Sequence, residues 1–371
     1  MQTHRFRALV DEPGPFATVY YDDTHTSEDA SAVAELTARA VVEELEERGA
    51  DASLTGAIET AMTVATPPSG PSGRVVIAGR NGVLVDEHLV RPAVKTEVRV
   101  SDLPYLVPIV EHGVESVAYA VALVDHEGAD LTLHSEDGET WTTSVDGDGY
   151  PVHKASSAET AGYGDPQPRA EEAARKNLRA VAAELDTAVD RYDVGAVFVG
   201  GDARARAELL EHVADRVRER AVTIDGASRS AGAGTQATRD KIDEEFARRR
   251  LAAVDAAVQR FHQYEGTGRA AQGVEGVSSA LRSGNVDTLI VGDLGQRTVV
   301  SADGMVAADV DALSEYGASD AQTVPADEAV VAAAVRVGAS IVRTDERFTP
   351  EDGVAAVLRY DEFSSADAGV R

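Results

Sequence analysis

Residues 150–189 read YPVHKASSAETAGYGDPQPRAEEAARKNLRAVAAELDTAV, and the rest of the chain is organised around this stretch. Gly, Pro and Ser are frequent over 153–168, which predicts a polar loop, and a helix is predicted to follow it. The first turns of that helix carry a group of cationic side chains, Arg169, Arg175, Lys176 and Arg179. A long polar loop on a helix with a basic near end can reach into RNA or a phosphate-lined cavity. The alternative is a solvated loop followed by an ordinary amphipathic helix, and the stretch taken alone favours that alternative.

The bulk composition bounds the class of protein. The 371 residues suit two or three domains, and an apolar content of 43% suffices for their cores. The chain contains no cysteine, which excludes disulfides, zinc fingers and thiol catalysis. The N-terminus has no apolar run like that of a signal peptide, and no stretch approaches about 18 uninterrupted apolar residues. We therefore expect a soluble, cytoplasmic protein.

The charge balance is strongly acidic. Asp and Glu total 64 against 35 Lys and Arg, and the formal net charge is −29. The lysines are Lys95, Lys154, Lys176 and Lys241. Such a chain fits a salt-rich cytoplasm, because carboxylates hold hydration and salt screens their repulsion. A coding bias toward arginine explains the lack of lysine equally well. The net charge argues against non-specific nucleic-acid binding, but it leaves docking through local basic patches open.

Hydrophobic periodicity and turn signals predict an α/β protein of three domains, at 1–112, 113–264 and 265–371. The middle domain is predicted as a mixed sheet with a long loop and helix, and the third as a compact α/β/α sandwich. The predicted elements of the first domain are a strand, two helices and a hairpin, at 16–21, 27–48, 52–64 and 74–85. Those of the middle domain are strands at 117–125, 129–135, 139–145, 194–199 and 221–224, helices after 168, at 203–220 and at 240–264, and a small-residue loop at 226–238. Those of the third domain are helices at 273–283 and 327–338 and strands at 286–291, 340–343 and 354–360.

Motifs of catalysis and metal binding do not rise above background in the sequence. Gly200-Gly201-Asp202 lacks the spacing of a phosphate-binding loop, and it predicts a tight strand-to-helix turn. The nine histidines form no H-E-x-x-H pattern, and no G-x-S-x-G elbow of a serine hydrolase is present. Acidic residues are too abundant for any two to be singled out as acid and base. The residues alone thus indicate no cofactor and no metal.

The middle domain carries the first part of a resemblance to a known family. His153 and Lys154, a Gly-containing loop, RKNLR at 175–179 and VFVGG at 197–201 resemble the Gly-Gly-Gln loop, helix and following strand of class 1 release factors.

The third domain carries the more specific part. QGVEGVSSALRSGNVDTLIV at 272–291 resembles the family's G-V-E-x-x-x-x-A-L and V-x-x-L-I-V signature, and GVAAVLRY at 353–360 is similar to its terminal G-I-x-x-I-L-R-Y. The order of parts resembles the archaeal and eukaryotic class 1 release factors and Pelota. The greatest resemblance is to their bacterial and archaeal homologues, which include the ribosome hibernation factor Balon and its mycobacterial relatives. The resemblance covers the second and third domains well and the first poorly.

The resemblance implies a non-enzymatic factor that occupies the ribosomal A site, with the middle loop reaching the peptidyl-transferase centre. It also implies an elongation-factor GTPase as a partner, such as EF-Tu or its archaeal counterpart, with no membrane contact and a monomer off the ribosome. The residues it would place against ribosomal RNA are His153, Lys154, Gly162, Tyr163, Gly164, Gln167, Arg169, Arg175 and Lys176.

Two departures from the family pattern shape these expectations. The loop has Gly162-Tyr163-Gly164 and then Gln167, and the adjacent Gly-Gly-Gln that serves peptide release in the family is missing. The family's stop-codon motif contains lysine, whereas the first lysine here is Lys95. One alternative is a peptidyl-tRNA hydrolase in ribosome rescue, with Gln167 in the glutamine role. Another is a ribosome-independent adaptor whose acidic surface binds basic proteins.

Overall fold

The structure, a computed structural model, describes residues 3–24, 30–64, 72–89, 92–112, 118–134, 140–146, 166–232, 235–318 and 320–361. The chain forms two compact units, one of Met1–Val114 with Arg249–Arg371 and one of Glu115–Arg248. In the first unit, the N-terminal and C-terminal segments share one hydrophobic core. The division into three domains stays a prediction.

The N-terminal part of the first unit is a four-stranded antiparallel sheet covered on both faces. Its elements are helix α1 (Arg7–Asp11), strand β1 (Phe16–Asp22), helices α2 (Ala30–Glu47) and α3 (Ala52–Val64), strands β2 (Gly73–Gly79), β3 (Gly82–Leu89) and β4 (Glu97–Ser101), and helix α4 (Val107–His112). The strand order is β3-β2-β1-β4. Along β1, Ala17 and Val19 share a core with α2 and α3, whereas Phe16 and Tyr20 face the core on the other side. The predicted strand, helices and hairpin are confirmed, and β4 and α4 were not predicted.

The second unit is built on a mixed five-stranded sheet. Its elements are strands β5 (Tyr119–Val124), β6 (Gly128–His134) and β7 (Thr140–Asp146), helix α5 (Pro166–Tyr192), strand β8 (Ala196–Gly201), helices α6 (Ala203–His212) and α7 (Asp215–Arg220), strand β9 (Ala221–Thr223) and the first half of helix α8 (Gln236–Tyr264). The strand order is β7-β6-β5-β8-β9, with β8 parallel to both β5 and β9. Helices α5 and α6 cover one face. Ile242 and Phe246 of α8 cover the other.

Three predicted boundaries in this unit are wrong. The loop predicted for 153–168 ends earlier, because α5 begins at Pro166; proline suits a first helical turn, where its missing N–H has no partner to lose. The single helix predicted for 203–220 is two helices. The second of these begins where the Asp186 carboxylate accepts the Ala214 N–H at 3.0 Å. The loop predicted to extend to 238 is already helical from Gln236.

The C-terminal part of the first unit is an α/β/α sandwich with a small additional sheet. Its elements are strand β10 (Ala270–Gln272), helix α9 (Gly273–Arg282), strands β11 (Val286–Val291), β12 (Thr298–Ala302) and β13 (Met305–Ala307), helix α10 (Val310–Ser314), strand β14 (Gln322–Pro325), helix α11 (Ala326–Arg336), and strands β15 (Ser340–Arg343) and β16 (Val354–Leu358). The main sheet has the order β10-β16-β11-β15. Phe261 and Val254 of α8 pack on one face, and α9 and α11 join the core on the other. The separate sheet β13-β12-β14 was not predicted.

Helix α11 joins the two parts of the first unit. It is apolar on nearly all sides, and its residues from Glu328 to Val335 are buried, as expected of a helix enclosed on every side. Near its first turn, Arg99 of β4 lies 2.9 Å from the Asp327 carboxylate and 3.2 Å from that of Glu328. Ser101 donates to Glu328 at 2.5 Å. Burial raises the pKa of the Glu328 carboxyl, and the hydrogen bonds from Ser101 and Arg99 oppose that rise.

We expect Glu328→Ala to lower the unfolding free energy of the first unit by about 2 kcal/mol, because two donors lose a buried acceptor. The exposed Glu346 of the same unit provides the matched control, and Glu346→Ala should change stability by less than about 0.5 kcal/mol. Urea unfolding of the full chain, followed by hydrogen exchange of α11 and β4 amides, measures both. Equal effects of the two substitutions would show that the interaction of Glu328 with β4 contributes nothing.

Candidate functional site

The candidate functional site lies at one edge of the second unit's sheet. Strands β5, β8 and β9 are parallel, so their carboxyl ends meet at the same edge. Helix α5 is joined to β8 by only three residues, 193–195, and the two elements therefore run in opposite directions. The first turn of α5 consequently lies at the same edge as the ends of β5 and β8. In parallel sheets, this is the edge at which ligands are usually bound.

Helix α5 is anchored by one face. Leu178, Val181, Leu185 and Val189 are buried at spacings of three and four residues, which is the stripe that a helix presents to a core. Asn177 is also buried, and its side-chain amide donates to the His126 carbonyl oxygen at 3.2 Å. This bond ties α5 to the turn between β5 and β6. The opposite face of the helix is left to solvent.

The solvent face of α5 is basic over its first half. Arg175, Lys176 and Arg179 are exposed, and Lys176 and Arg179 form no ion pair with any described residue. Arg175 lies 3.7 Å from the Glu172 carboxylate and 3.5 Å from that of Glu208 on α6. Residues 166–179 hold four cations against two carboxylates, whereas 180–192 hold one cation against three. The sign of the charge thus reverses along a single helix.

The remaining predicted site residues are only partly described. Gln167 and Arg169 lie in the first turn of α5, and nothing of their side chains is described. His153, Lys154, Gly162, Tyr163 and Gly164 lie outside the described residues. Nine residues were predicted to contact ribosomal RNA, and the structure describes the side chains of two of them, Arg175 and Lys176. Both are exposed on the same face of α5.

Arg229 fixes the end of β7, the strand that precedes 147–165. It lies in a short 3-10 helix, Arg229–Ala231, after β9. Its guanidinium donates to Asp130 at 3.0 Å and also to Asp146, the last residue of β7, and it lies 3.5 Å from Asp125. Burial disfavours the charge, but the hydrogen bonds to Asp146 and Asp130 prevail and raise the pKa of Arg229. One arginine thus connects the ends of β5 and β7 with the segment that follows β9.

The strand-to-helix turn at the end of β8 is as tight as predicted. Gly201 has a φ of 110°, and a Cβ there would lie 2.0 Å from the Val124 carbonyl oxygen. Asp202 caps α6 by accepting the Arg204 and Ala205 N–H groups at 3.0 Å. The hydrogen bond from the Ala205 N–H, with the nearby His126, lowers the pKa of this carboxyl.

Sequence reasoning missed Arg229, Asn177 and the cap at Asp202. An aspartate directly before a helical pattern is a recognised cap signal, and it could have identified Asp202. Arg229 and Asn177 act on residues 51 to 104 positions away, which no local pattern reveals. Within the described ranges, no group of three or more His, Asp and Glu side chains is arranged to hold a metal ion. None of the helices described there combines the length and the apolar character needed to cross a membrane.

We expect Arg229→Ala to release the end of β7, because Asp146 and Asp130 lose their shared donor. Amides at 144–146 should exchange about tenfold faster, as these partly exposed ion pairs contribute modestly. Arg179→Ala removes the same charge from a side chain that has no ion-pair partner among the described residues, so it serves as control and should leave those amides unchanged. Hydrogen exchange with mass spectrometry provides the measurement. Unaltered exchange at 144–146 in Arg229→Ala would contradict the anchoring role.

Comparison with known proteins places the second unit in a family. The model of bacterial archaeo-eukaryotic release factor family 2 matches residues 118–267. Two full-length relatives are 44% identical over 364 residues, with 97% of each chain covered. They are "Uncharacterized protein Rv2629" of Mycobacterium tuberculosis strain H37Rv and "Uncharacterized protein MT2704" of strain CDC 1551.

Solved structures of archaeal factors are similar at lower identity. Archaeal Pelota, from a model of the ribosome-bound protein with ABCE1, is 13% identical with a TM-score of 0.42, over 97% of this chain and 96% of that one. Archaeoglobus fulgidus Pelota is 16% identical with a TM-score of 0.38, over 78% and 80%. The archaeal termination factor aRF1 is 14% identical with a TM-score of 0.26, over 97% and 99%. Such values indicate nothing about activity. With the family match and the two relatives, the chain belongs to the bacterial archaeo-eukaryotic release factors.

Proposed function

We propose that the protein is a ribosome-binding factor that occupies the A site of idle or stalled ribosomes without releasing peptide, as a hibernation factor does. The observation that carries this proposal is the basic solvent face of α5, at the carboxyl edge of the second unit's sheet. Membership of the release factor superfamily supports the ribosome as the partner. Binding in the A site, and binding to idle or stalled ribosomes, are proposed in addition.

Electrostatics favour a local contact with RNA. A chain of net charge −29 is repelled by a phosphate backbone at long range. Salt at cellular strength limits that repulsion to about 8 Å, so cations that touch phosphates directly still contribute. Lys176 and Arg179 are exposed and unpaired within the described part of the chain, so they are free to make such contacts. A negatively charged protein that contacts RNA through a local basic face binds where that face fits the phosphates.

The position of Gln167 supports binding without hydrolysis. In the family, the catalytic glutamine sits in a loop beside two glycines, whereas Gln167 lies in the first turn of α5 between Pro166 and Pro168. Prolines restrict the backbone on both sides of it. A glutamine held in a helix cannot approach a reacting ester as a glycine-flanked one does. The protein is therefore proposed to occupy the ribosomal A site without cleaving peptidyl-tRNA.

The resemblance also supports delivery by an elongation-factor GTPase such as EF-Tu. Binding to ribosomes with and without the GTPase and a non-hydrolysable nucleotide separates delivered from unassisted occupancy. A ribosome-independent adaptor for basic proteins would be indicated by binding partners that persist when the cations of α5 are neutralised.

We expect Lys176→Gln with Arg179→Gln to weaken ribosome binding, by about tenfold for each cation that touches a phosphate. The plot of log affinity against log salt should become shallower by about one unit for each such cation. The control, Arg191→Gln with Arg216→Gln, removes the same charge near the C-terminal end of α5 and from α7, and it should leave affinity unchanged. Sedimentation with 70S ribosomes at several salt concentrations measures this. Absence of wild-type binding to 70S particles or subunits would refute the proposal.

We also expect no peptidyl-tRNA cleavage by the ribosome-bound protein. Gln167→Ala should leave the background release of peptide unchanged. Release of labelled peptide from peptidyl-tRNA in the ribosomal P site provides the measurement, with an active release factor as positive control. Release that disappears in Gln167→Ala would establish the hydrolase alternative.

A further inference from the structure

Arg175 differs from its cationic neighbours because two carboxylates flank it. Glu172 precedes it by one helical turn, and Glu208 reaches it from α6. Glu208 is the more enclosed of the two, with a side chain 19% exposed against 66% for Glu172. The partly buried carboxylate is less screened by solvent, so it acts on Arg175 more strongly than its distance alone suggests.

The two ion pairs of Arg175 are loose. At 3.5 and 3.7 Å they are ion pairs without a hydrogen bond in the described structure. Near the other end of α5, Arg216 binds Asp190 through two hydrogen bonds of 2.7 Å. A bidentate pair of that kind is the geometry of a structural contact. The guanidinium of Arg175 is held less firmly and keeps donors that another anion can use.

Helical spacing places one of these carboxylates within the basic surface. Residues 172, 175, 176 and 179 follow the i, i+3, i+4, i+7 pattern, so Glu172, Arg175, Lys176 and Arg179 share one face of α5. Glu172 and Glu208 lie beside the cations, where an approaching phosphate would meet them. Any RNA that binds this face must replace or tolerate two negative charges.

We propose that Glu172 and Glu208 are specificity-determining residues that screen Arg175 against arbitrary nucleic acid, an inference that rests on the proposed RNA-binding function of α5. An exposed ion pair is weak, so phosphates fixed at the correct spacing in a folded RNA can displace it. A mobile or misplaced phosphate gains too little from Arg175 to offset repulsion by the two carboxylates. The carboxylates therefore lower affinity for unrelated RNA more than affinity for the ribosomal site.

The test compares two charge-matched double variants of the full-length chain. Glu172→Gln with Glu208→Gln removes both carboxylates that flank Arg175. Asp190→Asn with Asp215→Asn removes two exposed carboxylates that pair with Arg216 and Arg218 at the other end of α5 and in α7. The probes are a short RNA duplex of arbitrary sequence and vacant 70S ribosomes. Fluorescence anisotropy and sedimentation give the two affinities over a range of salt concentrations.

We expect the glutamate variant to bind the duplex about three- to tenfold more tightly than wild type, with a salt slope steeper by about one unit. Its affinity for ribosomes should rise less than its affinity for the duplex. The ratio of ribosome affinity to duplex affinity should therefore fall. The aspartate variant should gain little, and adding Arg175→Gln to the glutamate variant should abolish the gain. Equal gains in the two double variants, or a gain that survives Arg175→Gln, would overturn the proposal.

The outcome stays separate from that of the proposed function. Wild-type protein that fails to bind ribosomes refutes the function, whatever the variants do with duplex RNA. If wild-type protein binds ribosomes and the glutamate variant shows no increase in affinity for the duplex, only the proposed role of Glu172 and Glu208 is refuted. Thermal unfolding of each variant reports any weakening of the packing between α5 and α6, which a purely structural role of Glu208 would produce without a change in the affinity ratio.

Discussion

The packing of α5 against the sheet of the second unit is the constraint on which the site depends. Three residues separate the end of α5 from the start of β8, and so short a link forces the helix to run back along the strand. Leu178, Val181 and Leu185 are fully buried, which fixes the rotation of the helix about its axis. Direction and rotation together decide that the first turns lie at the carboxyl edge of the sheet and that the cations face solvent. A change in either would move the basic surface away from this edge of the sheet.

Much of this arrangement can be predicted from the sequence. The apolar runs of β5 and of the six-residue strand β8 are uninterrupted, and their short length and β-branched residues favour buried strands over helices. The helical period of α5 is equally clear. Boundaries are less certain, because they depend on one or two residues. Pro166 can end a loop or begin a helix, and only the tertiary environment of α5 decides between these possibilities.

Long-range contacts lie beyond such reasoning. Arg229 in a small-residue loop gives no local sign that it will meet carboxylates from three segments, and the sequence treats it as one of many arginines. The same holds for α11, whose alanines and valines predict a buried helix without indicating which surfaces enclose it. The missed strands β12 to β14 are three to five residues long, and so few residues carry little periodicity. Local pattern therefore predicts the elements, and distant partners determine the site.

The acidity of the chain and the RNA contact proposed for α5 are compatible on physical grounds. Non-specific affinity for RNA comes mainly from counterion release by unpaired cations, and many of the arginines in this protein are instead paired with carboxylates. Arg216, Arg218 and Arg229 each contact at least one aspartate. Such pairing lowers affinity for RNA in general, while Lys176 and Arg179 of α5 form no ion pair with a described residue. For the proposed function, this distribution favours selectivity, because the acidic surface repels RNA while the exposed cations of α5 attract it. Salt also screens the repulsion between the acidic surface and RNA, to about 8 Å at physiological ionic strength. Because the salt slope follows the number of cations that touch phosphates, binding through the few cations of α5 should weaken less steeply with salt than binding by a uniformly basic surface.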